Sequence, residues 1–143
     1  MKMIRVLATG TFDILHPGHI LYFNKAKELG DELFVIVSRD SMVQHKLKPI
    51  LPEQQRLQVV QALSMVDHAE LGSEHDIFEP LASIKPDIIA LGYNQHFDDN
   101  KLREDLKKRN IPSKVIRLPY HDSGKLSATE NIIREIIKRR ITC

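Results

Sequence analysis

Short apolar runs alternate with longer amphipathic stretches along the whole chain. IRVLA precedes HILYFNKAKELG, ELFVIVS precedes PEQQRLQVVQALSMV, HAEL precedes IFEPLASI, DIIAL precedes DDNKLREDLKKRN, and KVIRL precedes TENIIREIIKRR. The short runs have the length of buried strands and the stretches between them the period of helices, which is the βαβ rhythm of a parallel sheet covered by helices. The pattern predicts an α/β fold: a doubly wound, Rossmann-like, five-stranded parallel sheet with helices on both faces. The breakers Gly30-Asp31, Lys85-Pro86-Asp87 and Asn110-Ile111-Pro112 fall between the elements, and no repeat, low-complexity segment or linker interrupts them. At 143 residues the chain has the size of one ordinary domain, so a single domain over 1–143 is expected.

In such a sheet, ligands lodge outside the carboxyl ends of the strands, where the strand order reverses. The loop after the first strand is TGTFDILHPGHI, Thr9 to Ile20. Pro17 suits a first helical position, because its φ is pre-set and its missing N–H would have gone unpaired. Gly18 removes a side chain from the surface that a phosphate must approach. His16 and His19 share one helical face, so their rings are expected to converge in front of the helix's free N–H groups. Histidine is a poor N-cap, and serine or aspartate would have stabilised this helix better; a broken local rule suggests a functional site. The site suits phosphate, with donors placed for charge that builds when a nucleophile attacks an α-phosphate. An isolated H-x-x-H more often lines a surface loop, but its position after the first strand favours the phosphate. Zinc ranks below, because no cysteine or acidic ligand stands at metal-site spacing beside the pair. Neither G-x-G-x-x-G nor a GK[ST] ending is present in this loop.

GTFDILHPGHI resembles the signature of the HxGH nucleotidyltransferase superfamily, which includes cytidylyltransferases, pantetheine-phosphate and heptose-phosphate adenylyltransferases, and archaeal FAD synthases. The resemblance continues through KAKELGDEL, VSRD, HKLKP, PEQQR and LGYNQHFD and covers most of the chain. It implies transfer of a nucleoside monophosphate from a nucleoside triphosphate to a phosphate-bearing acceptor, with release of pyrophosphate. VSRD, HKLKP, PEQQR and LGYNQHFD together look most like the archaeal FAD synthases, which implies ATP as donor, FMN as acceptor and FAD as product. A divalent cation, Mg²⁺, is expected to bridge the triphosphate oxygens with few or no protein ligands. Two alternatives stay open. One is a smaller acceptor, glycerol 3-phosphate with CTP or a heptose phosphate with ATP, since TENII resembles endings of the heptose branch. The other is a nucleotide-binding module without turnover, suggested by the altered SATEN segment.

The resemblance also implies roles for residues. His16, His19 and Lys46 are the expected catalytic set. The nucleotide would be held by Gly10, Thr11, Phe12, His16, Gly18 and His19, by Gly92, Asn94 and Gln95 after the fourth strand, and by Ser127 and Thr129 before the last helix. Asn94 and Gln95 are amides suited to a base edge. Asp13, Lys46 and Arg56 would meet the acceptor, with Asp13 also shaping its loop and Lys48 a second candidate cation. Each has a plainer reading: solvated lysines in a polar loop, an exposed helix charge at Arg56, an ordinary N-cap at Thr129. The segment departs from the family pattern after the hydroxyl pair, reaching a basic residue only at Arg134, with Lys125 the nearest cation before it. His45, His68, His75, His96 and His121 share no spacing that unites them, and only His96, beside LGYNQ, merits a test.

Composition narrows the partners. Lysine and arginine number 21 against 19 acidic residues, and the net charge of +2 argues against a sequence-independent nucleic-acid binder. The basic run IIREIIKRR reads as the last turns of an amphipathic helix, its cations at the negative end of the dipole. The single cysteine, Cys143, excludes an internal disulfide framework and fits a reducing compartment. No signal-peptide core or membrane-length run is present, so a cytoplasmic location is expected. A homodimer is implied by resemblance alone.

Overall fold

The computed structural model describes residues 2–44, 47–121 and 124–141. Lys46, His45 and Cys143 therefore lie outside the described residues. The strands are β1 (Arg5–Gly10), β2 (Glu32–Val37), β3 (His68–Leu71), β4 (Ile88–Leu91) and β5 (Lys114–Arg117). The helices are α1 (Pro17–Lys27), α2 (Glu53–Gln61), α3 (Leu81–Ile84), α4 (Asp99–Lys108) and α5 (Thr129–Arg140), with a single 3-10 turn at Asp40–Met42.

All pairings are parallel and the strand order is β3-β2-β1-β4-β5. Alternation along each strand sends side chains to two faces. Val6, Ala8, Leu33, Val35 and Val37 pack with Phe23 and Ala26 of α1 and Val60 of α2. Leu7, Ile36, Ile89 and Leu91 pack on the other face with Leu81 and Ile84 of α3 and with Leu102 and Leu106 of α4. The expected double winding is thus realised as two apolar layers, one on each side of the sheet. No helix among the described residues is long and apolar enough to cross a membrane.

Several boundaries differ from expectation, and three have a clear physical cause. β1 continues past the apolar run, because Thr9 and Gly10 pair with Ile36 and Val37 of β2. The predicted helix over IFEPLASI shrinks to Leu81–Ile84: Pro80 has no N–H to continue a ladder and takes the N-cap, while Lys85 ends the turn in the left-handed region at φ 51°. α2 stops at Gln61 rather than Val66, since the N–H groups of Ala62 and Leu63 tighten onto Val59 and Val60 and the chain turns to bury Val66.

The extension of β1 positions the site. β1 pairs with β4 only as far as Ala8, opposite Ala90, whereas its pairing with β2 runs on to Gly10. Beyond Ala8 the two central strands part, at the point where the strand order reverses.

Candidate functional site

The split between β1 and β4 is stitched by side chains. The Tyr22 hydroxyl donates to the Ala90 carbonyl at 2.6 Å and accepts from the Thr9 N–H at 3.3 Å. Burial pushes the Tyr22 phenol well up from its ordinary value, so it remains a donor. Gln95 donates from Nε2 to the Thr9 carbonyl at 2.7 Å and accepts the Gly92 N–H on Oε1 at 2.8 Å. Both ends of this amide are occupied within the protein. Gln95 thus ties the ends of the crevice together, and Asn94 is exposed at the same loop. Arg117 of β5 fastens the loop from outside. Its guanidinium donates to the carbonyls of Gly92 (2.8 Å), Gln95 (2.6 Å) and Phe97 (2.6 Å), and pairs with Asp99.

The loop leaving β1 is set by Phe12, a buried residue in the left-handed region at φ 54°. Its ring lies 4.8 Å from that of Phe23 and meets His19 edge-on at 5.6 Å. A Cβ on Gly10 would stand 2.7 Å from the Phe12 ring, so the glycine makes room for it. The Phe12 side chain belongs to the core, so Phe12 offers only its main chain to the crevice.

The histidines make the helix start themselves. His16 is the N-cap of α1, with Nδ1 accepting the Gly18 N–H at 3.0 Å, while His19 Nδ1 accepts the His16 N–H at 3.3 Å. This is a capping box built from two imidazoles, so the poor N-cap expected of histidine still satisfies the helix start. The N–H groups of His19 and Ile20 bond the His16 carbonyl at 3.0 and 3.3 Å. The first amides of α1 are therefore engaged, and the donors at this tip are the rings, not the main chain. A neutral imidazole that accepts at Nδ1 carries its proton on Nε2. Burial lowers the His16 pKa, which favours that neutral form. The two ring centroids are 3.8 Å apart, as the i, i+3 spacing predicts.

The last helix starts against this tip. Ser127 donates to the Gly124 carbonyl at 2.8 Å, and Thr129 donates across 115 positions to the Ile14 carbonyl at 3.2 Å. A Cβ on Gly18 would lie 2.6 Å from the Ser127 carbonyl oxygen and 2.9 Å from His16 Nδ1. Gly18 thus serves close packing of two helix starts. The N-cap of α5 is Ala128, which has no side-chain cap, and Thr129 is the first helical residue, contrary to the N-cap reading.

Arg56 departs most from expectation. It is 1% exposed, the one buried charged residue among those described, and is neither a solvated helix charge nor open to an acceptor. Nε donates to the Leu51 carbonyl at 2.9 Å, one terminal nitrogen to Thr11 (2.7 Å) and Ser38 (3.0 Å), and the other to Asp40 Oδ1 at 2.5 Å. Asp13 completes the frame, accepting the N–H groups of Ile50 at 2.8 Å and Leu51 at 2.9 Å. Both residues hold the β1 loop against the entry to α2. Lys48 places its ammonium on the Asp40 carbonyl at 2.7 Å. Tyr22, Asp40 and Arg117 had no assigned role in the sequence; VSRD carried Asp40 as part of a resemblance, but nothing local marked Tyr22 or Arg117.

Residues 7–136 match the family described as Cytidylyltransferase-like. The chain is 59% identical over 137 residues to the FAD synthase of Methanosarcina mazei, covering 96% of this chain and 91% of that one. Over 135 residues it is 56% identical to the FAD synthase of Archaeoglobus profundus, covering 94% and 87%. Among solved structures, the lipopolysaccharide core biosynthesis protein of Thermoplasma volcanium is 47% identical and superposes with a TM-score of 0.81, covering 85% of this chain and 100% of that one.

Proposed function

The chain belongs to the cytidylyltransferase-like family, and on that premise we propose that it is an FMN adenylyltransferase, a single-domain enzyme that makes FAD and pyrophosphate from ATP and FMN. A phosphate oxygen of FMN attacks the α-phosphorus of ATP; the bond from that phosphorus to the bridging oxygen breaks, and the pair leaves with pyrophosphate. The acceptor is already an anion, so orientation matters more than deprotonation.

The paired imidazoles at the tip of α1 are the observation that best supports the chemistry. With both Nδ1 atoms accepting main-chain N–H groups, His16 and His19 carry their protons on Nε2, ready to donate to the α-phosphate oxygens as charge builds there. The start of α5 and Lys46 are assigned to the β- and γ-phosphates. Among the described residues no group of three or more His, Cys, Asp or Glu side chains is placed to hold a metal ion. A divalent cation, Mg²⁺, would accompany the triphosphate and neutralise charge on the leaving group. The protein is assigned to the cytoplasm as a homodimer that takes ATP and FMN and neither nucleic acid nor membrane.

The likeness to the Thermoplasma volcanium protein supports a second reading, a sugar phosphate as acceptor. Pyrophosphate release is to be measured with ATP and with CTP, each against FMN, glycerol 3-phosphate and heptose 1-phosphate. Turnover with ATP and FMN is expected. Turnover with another pair alone would contradict the FMN assignment, and silence with every pair would mean a binding module without catalysis.

A further inference from the structure

On the face covered by α3 and α4, a cavity of about 110 Å³ opens at the carboxyl edge of the sheet. Leu7, Ile36, Leu91, Phe78, Phe97 and Ile77 are among its apolar lining residues. Polar groups enter the lining as Thr9, Ser38, Arg39 and Ser73, which lie at or just beyond the carboxyl ends of the first three strands. Protein interiors are close-packed, with few voids wider than a water molecule, and an apolar void lowers stability. This one sits beside Thr9, directly ahead of the loop that leads to His16.

Resting on the reading above, we propose that this cavity receives the dimethylbenzene edge of the acceptor's flavin ring, and that Ile77, Phe78 and Phe97 set the preference for a flat aromatic acceptor. Size and polarity both favour that edge. The space is smaller than the cavity of about 150 Å³ that takes up one benzene, so with its open mouth it admits the edge of one ring of the tricycle and not all three. Adenine has ring nitrogens and an exocyclic amine that would lose their hydrogen bonds against an aliphatic floor, whereas the dimethylbenzene ring has no polar atoms to satisfy. The pyrimidinedione edge and the ribityl phosphate then stay toward Thr9, Ser38 and Ser73, near the β1 loop.

Lumiflavin, the flavin ring without ribityl phosphate, is the probe for the native protein. It is expected to compete with FMN and not with ATP. Ile77 is 49% exposed, so Ile77→Trp adds bulk among the cavity's lining residues without displacing a buried residue. It should raise KM for FMN about tenfold or more, leave KM for ATP within about twofold, and abolish lumiflavin competition. If the native protein forms no FAD from ATP and FMN, the functional reading fails and this inference with it. If FAD forms but lumiflavin does not compete with FMN, or Ile77→Trp acts on KM for ATP instead, only the pocket assignment is overturned.

Discussion

His16 and His19 hold one another's place: the ring of His19 accepts the main-chain N–H of His16, and the ring of His16 accepts the N–H of Gly18 between them. The same two bonds that start the helix also dictate which nitrogen of each ring keeps its proton. Structure and chemistry are therefore coupled at this tip, and a change that disturbs one should register in the other.

The coupling has a pH dependence. Burial lowers the His16 pKa from 6.5, so the folded protein binds a proton there less readily than the unfolded chain does. The neutral ring is fully populated above that value; as pH falls below it, the unfolded state gains protons first and stability declines. Protonation of Nδ1 would also break the bond from the Gly18 N–H. The acid limb of kcat/KM, which reports the free enzyme, is expected to have its midpoint below 6.5, with Tm falling over the same range. A limb centred above 6.5 would contradict the neutral assignment.

Gly18→Ala sets two effects against each other. Alanine improves helix propensity by up to about 1 kcal/mol, but its Cβ would lie 2.6 Å from the Ser127 carbonyl oxygen, a main-chain atom that cannot rotate away. Overpacking costs about 1–3 kcal/mol, and in the first turn the propensity gain is small. Urea denaturation should show net destabilisation, with reduced turnover as α1 and α5 are pushed apart.

Arg56→Met tests positioning against acceptor binding. The Asp40 side chain, 46% exposed, stays solvated, but the carbonyls of Thr11, Ser38 and Leu51 lose their donor, and an unpaired buried polar group costs about 1–3 kcal/mol. Arg56→Lys should also destabilise, since one ammonium cannot serve three carbonyls and a carboxylate together. A variant of full stability whose KM for FMN alone had risen would return Arg56 to the acceptor.

Gln95→Glu keeps the acceptor for the Gly92 N–H but turns a carboxylate oxygen toward the Thr9 carbonyl. An unpaired buried group costs about 1–3 kcal/mol. The loss of Tm should be large at neutral pH and shrink in acid, when the protonated carboxyl can donate to Thr9. An unchanged Tm with weakened ATP binding would instead show Gln95 reading the base.

How much of this was legible in the chain follows from the range of the forces involved. Strands such as ELFVIV and helices such as DNKLREDLKK declare themselves through local period, and all five strands lie where their apolar runs do. HPGH was legible as a helix start beside a strand end, because Pro17 fits a first helical position. Its capping box was not, since the choice between Nδ1 and Nε2 depends on backbone angles at His16. Arg56 and Arg117 were misread or passed over for one reason: their partners are carbonyls of loops distant in sequence, and no local pattern tells a solvated arginine from one that ties such loops down. Gln95 is the same case with an amide.

The most direct test is the steady-state kinetics of His19→Ala with ATP and FMN, assayed well below the Tm of the variant. If the His19 Nε2 proton stabilises charge on the α-phosphate in the transition state, kcat should fall by roughly 10²–10³ while KM for ATP changes little. A normal kcat with a raised KM would mean that the ring only binds ground-state nucleotide, and the account of catalysis at the α1 tip would be wrong.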